Sequence, residues 1–167
     1  MAVCLELPAR PDRAWTHDWY PYDQYQVVHV NHMRLLEREG VVDHDALSFY
    51  EIEDAGGELA VVRIAGRLLC PEHGVAMRID KRMDVRRGLG NRHEVKTVAY
   101  QYYAWLRKAP GRTRRDLLRI DNNPPRPKLH AHLFDSLGHE VESPDIERDA
   151  RPTLDVFIRH VAGAGTV

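Results

Sequence analysis

Between Val75 and Val85 the chain alternates strictly: Val75, Met77, Ile79, Met83 and Val85 are interleaved with Arg78, Asp80, Arg82 and Asp84. A period of two sends successive side chains to opposite faces, so this segment can only be a strand with one dry face and one wet face. Lys81 is the single break, a cation where an apolar residue is due. Turn signals bracket the strand: Pro71-Glu72-His73-Gly74 before it and Gly88-Leu89-Gly90-Asn91 after it. Further strands are expected at Glu58–Leu69, Glu94–Leu106, Asp116–Asp121 and Lys128–Phe134, the last closed by Asp135-Ser136-Leu137-Gly138. Turns this short join antiparallel neighbours, not the crossovers of a parallel sheet.

The ends are of another kind. Residues 1–24 carry Trp15, Trp19, Tyr20 and Tyr22 without periodicity and read as an irregular aromatic arm. Tyr25 to Glu39 is ambiguous: its valines favour a strand, while Val30, Met33 and Leu36 suit one face of a helix. From Pro152 to Val161, proline in the first turn and then Leu154, Phe157, Ile158 and Val161 at helical spacing give an amphipathic helix. The expectation is therefore a single α+β domain over residues 25–167. Its core is a twisted antiparallel sheet of about five to six strands, with the C-terminal helix on one face.

At 167 residues, 43% hydrophobic and 29% charged, the chain has the material for one core. No run approaches the roughly 18–20 apolar residues of a membrane span. Glu6 interrupts a short apolar start, and Cys4 and Cys70 make neither a disulfide framework nor zinc spacing. A cytoplasmic protein with no membrane partner is expected. The net charge of −1 conceals a segregation. Residues 1–77 hold six Lys and Arg against thirteen Asp and Glu, residues 78–128 fifteen against five, and residues 129–167 three against seven. A basic block of that density suits a phosphate-binding face, unless the acidic flanks fold back and neutralise it.

Three motifs could carry chemistry. In Leu118-Arg119-Ile120-Asp121-Asn122-Asn123, strand parity points Arg119 and Asp121 the same way at a strand end that runs into a proline loop. The plain alternative is an Asx-turn capping that loop. In Lys128-x-His130-x-His132, alternation puts three side chains on one face, the imidazoles about 7 Å apart at Cα by strand rise. Such a pair could move protons in phosphodiester cleavage while Arg119 or Lys128 steadies the charged transition state. It could instead ligate a metal with Asp121 as an oxygen donor, or be two solvated histidines on a wet strand face. In Tyr100-Gln101-Tyr102-Tyr103-Ala104-Trp105, one aromatic pair faces each way, for the core or for stacking bases. No glycine-rich phosphate loop, dinucleotide fingerprint or nucleophile elbow is present, and no cofactor is called for.

On these residues, VAYQYYAWL, LLRIDNN and KLHAHLF followed by a Gly-turn strand and a final helix, the chain resembles the TumE-type toxins of bacterial toxin–antitoxin pairs and related small uncharacterised proteins. The resemblance covers about residues 93–162. It departs at Pro124-Pro125-Arg126-Pro127, where those sequences are often His-rich. It points to Arg119, Asp121, Asn122, His130 and His132 and implies a role in a toxin–antitoxin pair, with an antitoxin protein as partner; taken with the basic block, it gives a first reading as a toxin acting on RNA or another nucleic acid. Arg119, Asp121, His130 and His132 would be the catalytic residues. Asn122, Lys128, Arg112, Arg114 and Arg115 would hold the substrate, in metal-independent acid–base cleavage. Two other readings stand beside it: a non-catalytic module binding protein or nucleic acid, and a metal-dependent hydrolase using His130, His132 and Asp121.

Overall fold

The structure is a computed structural model that describes residues 19–43, 46–107, 114–122, 130–145 and 154–164. Eight strands and two α-helices are found among them: β1 (Tyr20–Pro21), α1 (Tyr22–Arg38), β2 (Ala46–Glu53), β3 (Leu59–Cys70), β4 (Val75–Arg87), β5 (His93–Leu106), β6 (Arg115–Asp121), β7 (His130–Phe134), β8 (Glu140–Glu142) and α2 (Leu154–Ala164). β2 to β8 follow one another as an antiparallel meander, and β1 pairs with β5 at Tyr20↔Val95. The sheet is mostly antiparallel with few helices, as expected, but it has eight strands rather than five or six. The additions are marginal in sequence: β1 and β8 are two and three residues long, and β2 is mostly exposed, so none carries a long apolar alternation.

Most of the arm expected at 1–24 lies outside the described residues. Its described end is corrected to β1 and the first turn of α1. The ambiguity at Tyr25–Glu39 resolves as helix. Tyr22, Tyr25, His29, Met33 and Leu36 form its buried stripe, while Val27 and Val30 face solvent. The stripe at three and four spacing outweighs the strand preference of valines that pack against nothing. Gly40, at φ 72°, ends the helix, and the Val41 N–H returns to the Leu36 carbonyl at 2.9 Å.

Pairing register sorts the side chains into two faces. Leu68, Met77, Tyr102, Leu118 and Ala131 belong to the inner face, where Met33 and Leu36 of α1 and Phe157, Ile158 and Val161 of α2 complete the main core. A second cluster joins Tyr22 and Tyr25 to Val62, Ile64, Met83 and Val95. Lys81 falls between them on β4, after Ile79 of the first and before Met83 of the second. It is 4% exposed, its ammonium hydrogen-bonds the Tyr25 hydroxyl at 2.8 Å and lies 5.0 Å from the centre of that ring. Burial pushes its pKa down to about 7.

The outer face reads as transverse rows across neighbouring strands. One row runs Arg67, Arg78, Tyr103, Arg119 and His132; the next runs Ala65, Asp80, Gln101, Asp121 and His130. A meander therefore delivers residues from five strands, distant in sequence, onto one polar surface.

Candidate functional site

The row geometry explains why Arg119, Asp121, His130 and His132 meet. Both pairs sit two residues apart on a strand, so each pair shares a face, and β6 and β7 are paired with Arg119 opposite His132 and Asp121 opposite His130. The Asp121 carboxylate, 4% exposed at the side chain, is the hub. One oxygen lies 2.8 Å from Arg119 Nε and 3.5 Å from His132 Nε2, and the other lies 3.5 Å from His130 Nε2. The imidazole centroids are 4.7 Å apart in an edge-to-face arrangement.

A fifth member was missed in the sequence. Glu140 of β8 places Oε1 2.8 Å from His132 Nδ1, and Arg119 Nη2 lies 2.6 Å from His132 Nε2. A carboxylate can only accept and a guanidinium can only donate. In a neutral His132 the proton must therefore sit on Nδ1, leaving the Nε2 lone pair toward Arg119. Counting the hairpin would have found Glu140: Asp135 N–H bonds the His139 carbonyl, so residue 140 falls opposite Phe134, on the face that holds His132.

The histidines and Asp121 are buried, whereas Arg119 and Glu140 are 36% and 44% exposed at the side chain. Solvent and solutes thus meet the cluster through its cation and its outer carboxylate. One ligand atom from each of Asp121, His130 and His132 fits within 4.8 Å, the arrangement a metal ion would need. The Arg119 guanidinium already bonds two of those three groups, and its fixed positive charge repels a second cation there.

The residues expected to hold substrate fare differently. Asn122 works on the fold: its Oδ1 accepts from Tyr100 N–H and its Nδ2 donates to the Val98 carbonyl, both at 3.0 Å, clamping the bulge of β5. The loop that the expected Asx-turn would cap lies outside the described residues. Arg115 pairs opposite Leu106 and donates to the Ser136 carbonyl at the β7–β8 turn. Arg114 bonds Asp116 and lies 4.6 and 4.9 Å over the rings of Tyr103 and Trp105. Lys128, Arg112 and the proline loop after Asn123 lie outside the described residues. The Tyr100–Tyr102 pair is buried in the core, whereas Tyr103 and Trp105 stay half-buried on the outer face. Cys70 is buried, its thiol pushed up to about 11 by desolvation, which removes it as a nucleophile.

The basic block keeps its positive balance: Arg82 pairs with Asp84, Arg86 with Glu94 and Arg114 with Asp116 inside it, Arg87 reaches Glu58 of the first flank, and Arg63 of that flank takes up the block's own Asp80. Among the described residues, no helix is long and apolar enough to cross a membrane. The chain matches no protein-family profile, no curated protein and no solved structure.

Proposed function

We propose that the protein is a toxin-like ribonuclease that cleaves RNA by metal-independent acid–base chemistry at Arg119, Asp121, His130, His132 and Glu140. The observation that carries this reading is the line Glu140–His132–Arg119, joined by hydrogen bonds and ion-paired at its end to Asp121, in which a carboxylate fixes one imidazole tautomer beside a guanidinium. His132 Nε2 takes the proton of the attacking 2′-hydroxyl as its oxygen bonds to phosphorus. His130 gives a proton to the departing 5′-oxygen as the P–O bond breaks. Arg119, partly exposed, turns its donors from His132 to the phosphoryl oxygens, where negative charge gathers. Asp121, between the rings, balances the positive charge that either gains during transfer. The resemblance to TumE-type toxins supports the same assignment and adds an antitoxin protein as partner. Exposed Tyr50 and Ile52 on edge strand β2 offer that partner a docking edge.

The test is induced expression in a bacterial host, wild type beside a His130→Ala/His132→Ala double variant, with total RNA followed over time. Growth arrest with RNA loss in the wild type alone is expected. Normal growth and intact RNA with both proteins would sink the reading and leave a non-catalytic binding module. A second reading, a metal-dependent hydrolase, is favoured by the 4.8 Å convergence of Asp121, His130 and His132. Purified protein in chelator separates the two: cleavage should persist, whereas loss restored by added divalent metal selects the second.

A further inference from the structure

Two arginine pairs face each other across β3 and β4. Arg63 lies directly opposite Arg82, and Arg67 directly opposite Arg78. Like charges at such positions repel. The first pair is compensated, because Asp80 binds Arg63 and Asp84 binds Arg82. The second is not: both side chains are exposed, and among the described residues neither forms an ion pair. Beside Arg67 the outer face opens into a cavity of about 440 Å³ lined by Asp43, Ala46, Arg67, Leu69, Ala76, Trp105 and Arg107. Arg107 is likewise exposed and forms no ion pair among the described residues. Arg67 and Arg107 thus flank an apolar floor and an indole, with Arg78 directly opposite Arg67 on the neighbouring strand. From there the row Arg67, Arg78, Tyr103 leads across the sheet to Arg119 and His132. Arg78 and His132 stand three strand spacings apart, roughly 14 Å.

We propose that this cavity seats one unstacked base of single-stranded RNA and that the arginine row carries its backbone toward the Arg119–His132 cluster. The proposal rests on the reading of that cluster as a phosphodiester-cleaving centre. An anionic polymer relieves the repulsion that the fold leaves uncompensated at Arg67 and Arg78. Trp105 supplies a stacking surface that accepts any base, since every base has a π face. Asp43, a carboxylate on the rim, would repel phosphate but can accept from a ribose 2′-hydroxyl or an exocyclic amine. A base held in a duplex must first be unpaired and unstacked at a cost of a few kcal/mol, which a single strand avoids, so the occupant is a single strand.

The test is fluorescence anisotropy with a labelled 12-nucleotide single strand of 2′-O-methyl RNA, which binds without being cut. It is paired with gel assays of cleavage on unmodified RNA of the same sequence. The Arg67→Glu/Arg78→Glu variant alters only exposed side chains, and a thermal melt confirms its fold. It should bind at least tenfold more weakly and flatten the plot of log affinity against log salt by about 1.4, two phosphate contacts' worth. Trp105→Leu should weaken binding about tenfold at an unchanged salt slope. Unchanged affinity and slope in the double Arg variant would overturn the proposal, as would equal binding of a duplex or no binding by wild type. His132→Ala keeps the two readings apart. Lost cleavage there with normal binding by the Arg variant removes the track and leaves the catalytic centre. Normal cleavage by His132→Ala with lost binding by the Arg variant does the reverse.

Discussion

The two faces of this sheet both bury ionisable groups, by opposite means. On the outer face, Asp121, His130 and His132 are surrounded by charge: a guanidinium at 2.8 Å and a second carboxylate through His132. On the inner face, Lys81 lies between two apolar clusters and donates to the Tyr25 hydroxyl at 2.8 Å, and His29, edge-on to Phe49, is held down to about 4, chiefly by burial. The outer groups compensate one another and keep an opening through Arg119 and Glu140, so they can exchange protons with a solute. The inner groups are sealed, and desolvation pushes both toward their neutral forms. Burial alone therefore does not tell the two clusters apart; compensating charge and a route to solvent do.

The largest expected effect comes from breaking compensation. Asp121→Ala leaves the Arg119 guanidinium and two buried imidazoles without their hub and should destabilise the fold by about 3–5 kcal/mol, read as a lower urea midpoint. An effect near zero would mean that Asp121 does not hold the outer cluster together. The inner face should respond with the opposite sign. Because the folded pKa of Lys81 is about 7, well below the ordinary lysine value, the unfolded chain binds a proton that the folded chain has released. Stability contributed by this site rises with pH from about 7 toward 10 and is lowest below 7. Lys81→Met should therefore raise stability at pH 6 by roughly 1–4 kcal/mol and flatten that slope in pH-dependent melts. A destabilised variant with the slope intact would place the charge elsewhere. The smallest effect sharpens the outer face itself. Glu140→Gln keeps the shape but no longer dictates where His132 carries its proton, so cleavage should fall about 10–100-fold at an unchanged melting temperature. Recovery in Glu140→Asp would identify a positioning carboxylate, and full activity in Glu140→Gln would remove it from the site.

Much of this was legible in the chain. The alternation at Val75–Val85 gave β4 with its wet and dry faces, and even its one irregularity was informative. Lys81 breaks the pattern because it occupies an inward position between two cores. Parity alone grouped Arg119 with Asp121 and His130 with His132. Helix α1 was harder, since valines at 27 and 30 that face solvent carry the same propensity as buried ones. Asn122 was ambiguous in another way: a polar residue at a strand end suits a substrate contact as well as the clamp on a neighbouring strand's bulge that the structure shows.

What the sequence determined by itself is what local periodicity can encode: the strands that carry a long alternation, which way their side chains point, and where the turns between them fall. Tertiary structure alone decided the pairing. The register of β6 on β7 brings Asp121 between the two imidazoles, the register of β7 on β8 brings in Glu140, and the order β3–β4–β5–β6 lines Arg67, Arg78 and Tyr103 up with Arg119. A strand's parity is a property of its own backbone, but its neighbour and its offset come from loop closure and the burial of a shared inner face. A slip of one residue would send every one of these side chains to the opposite side of the sheet.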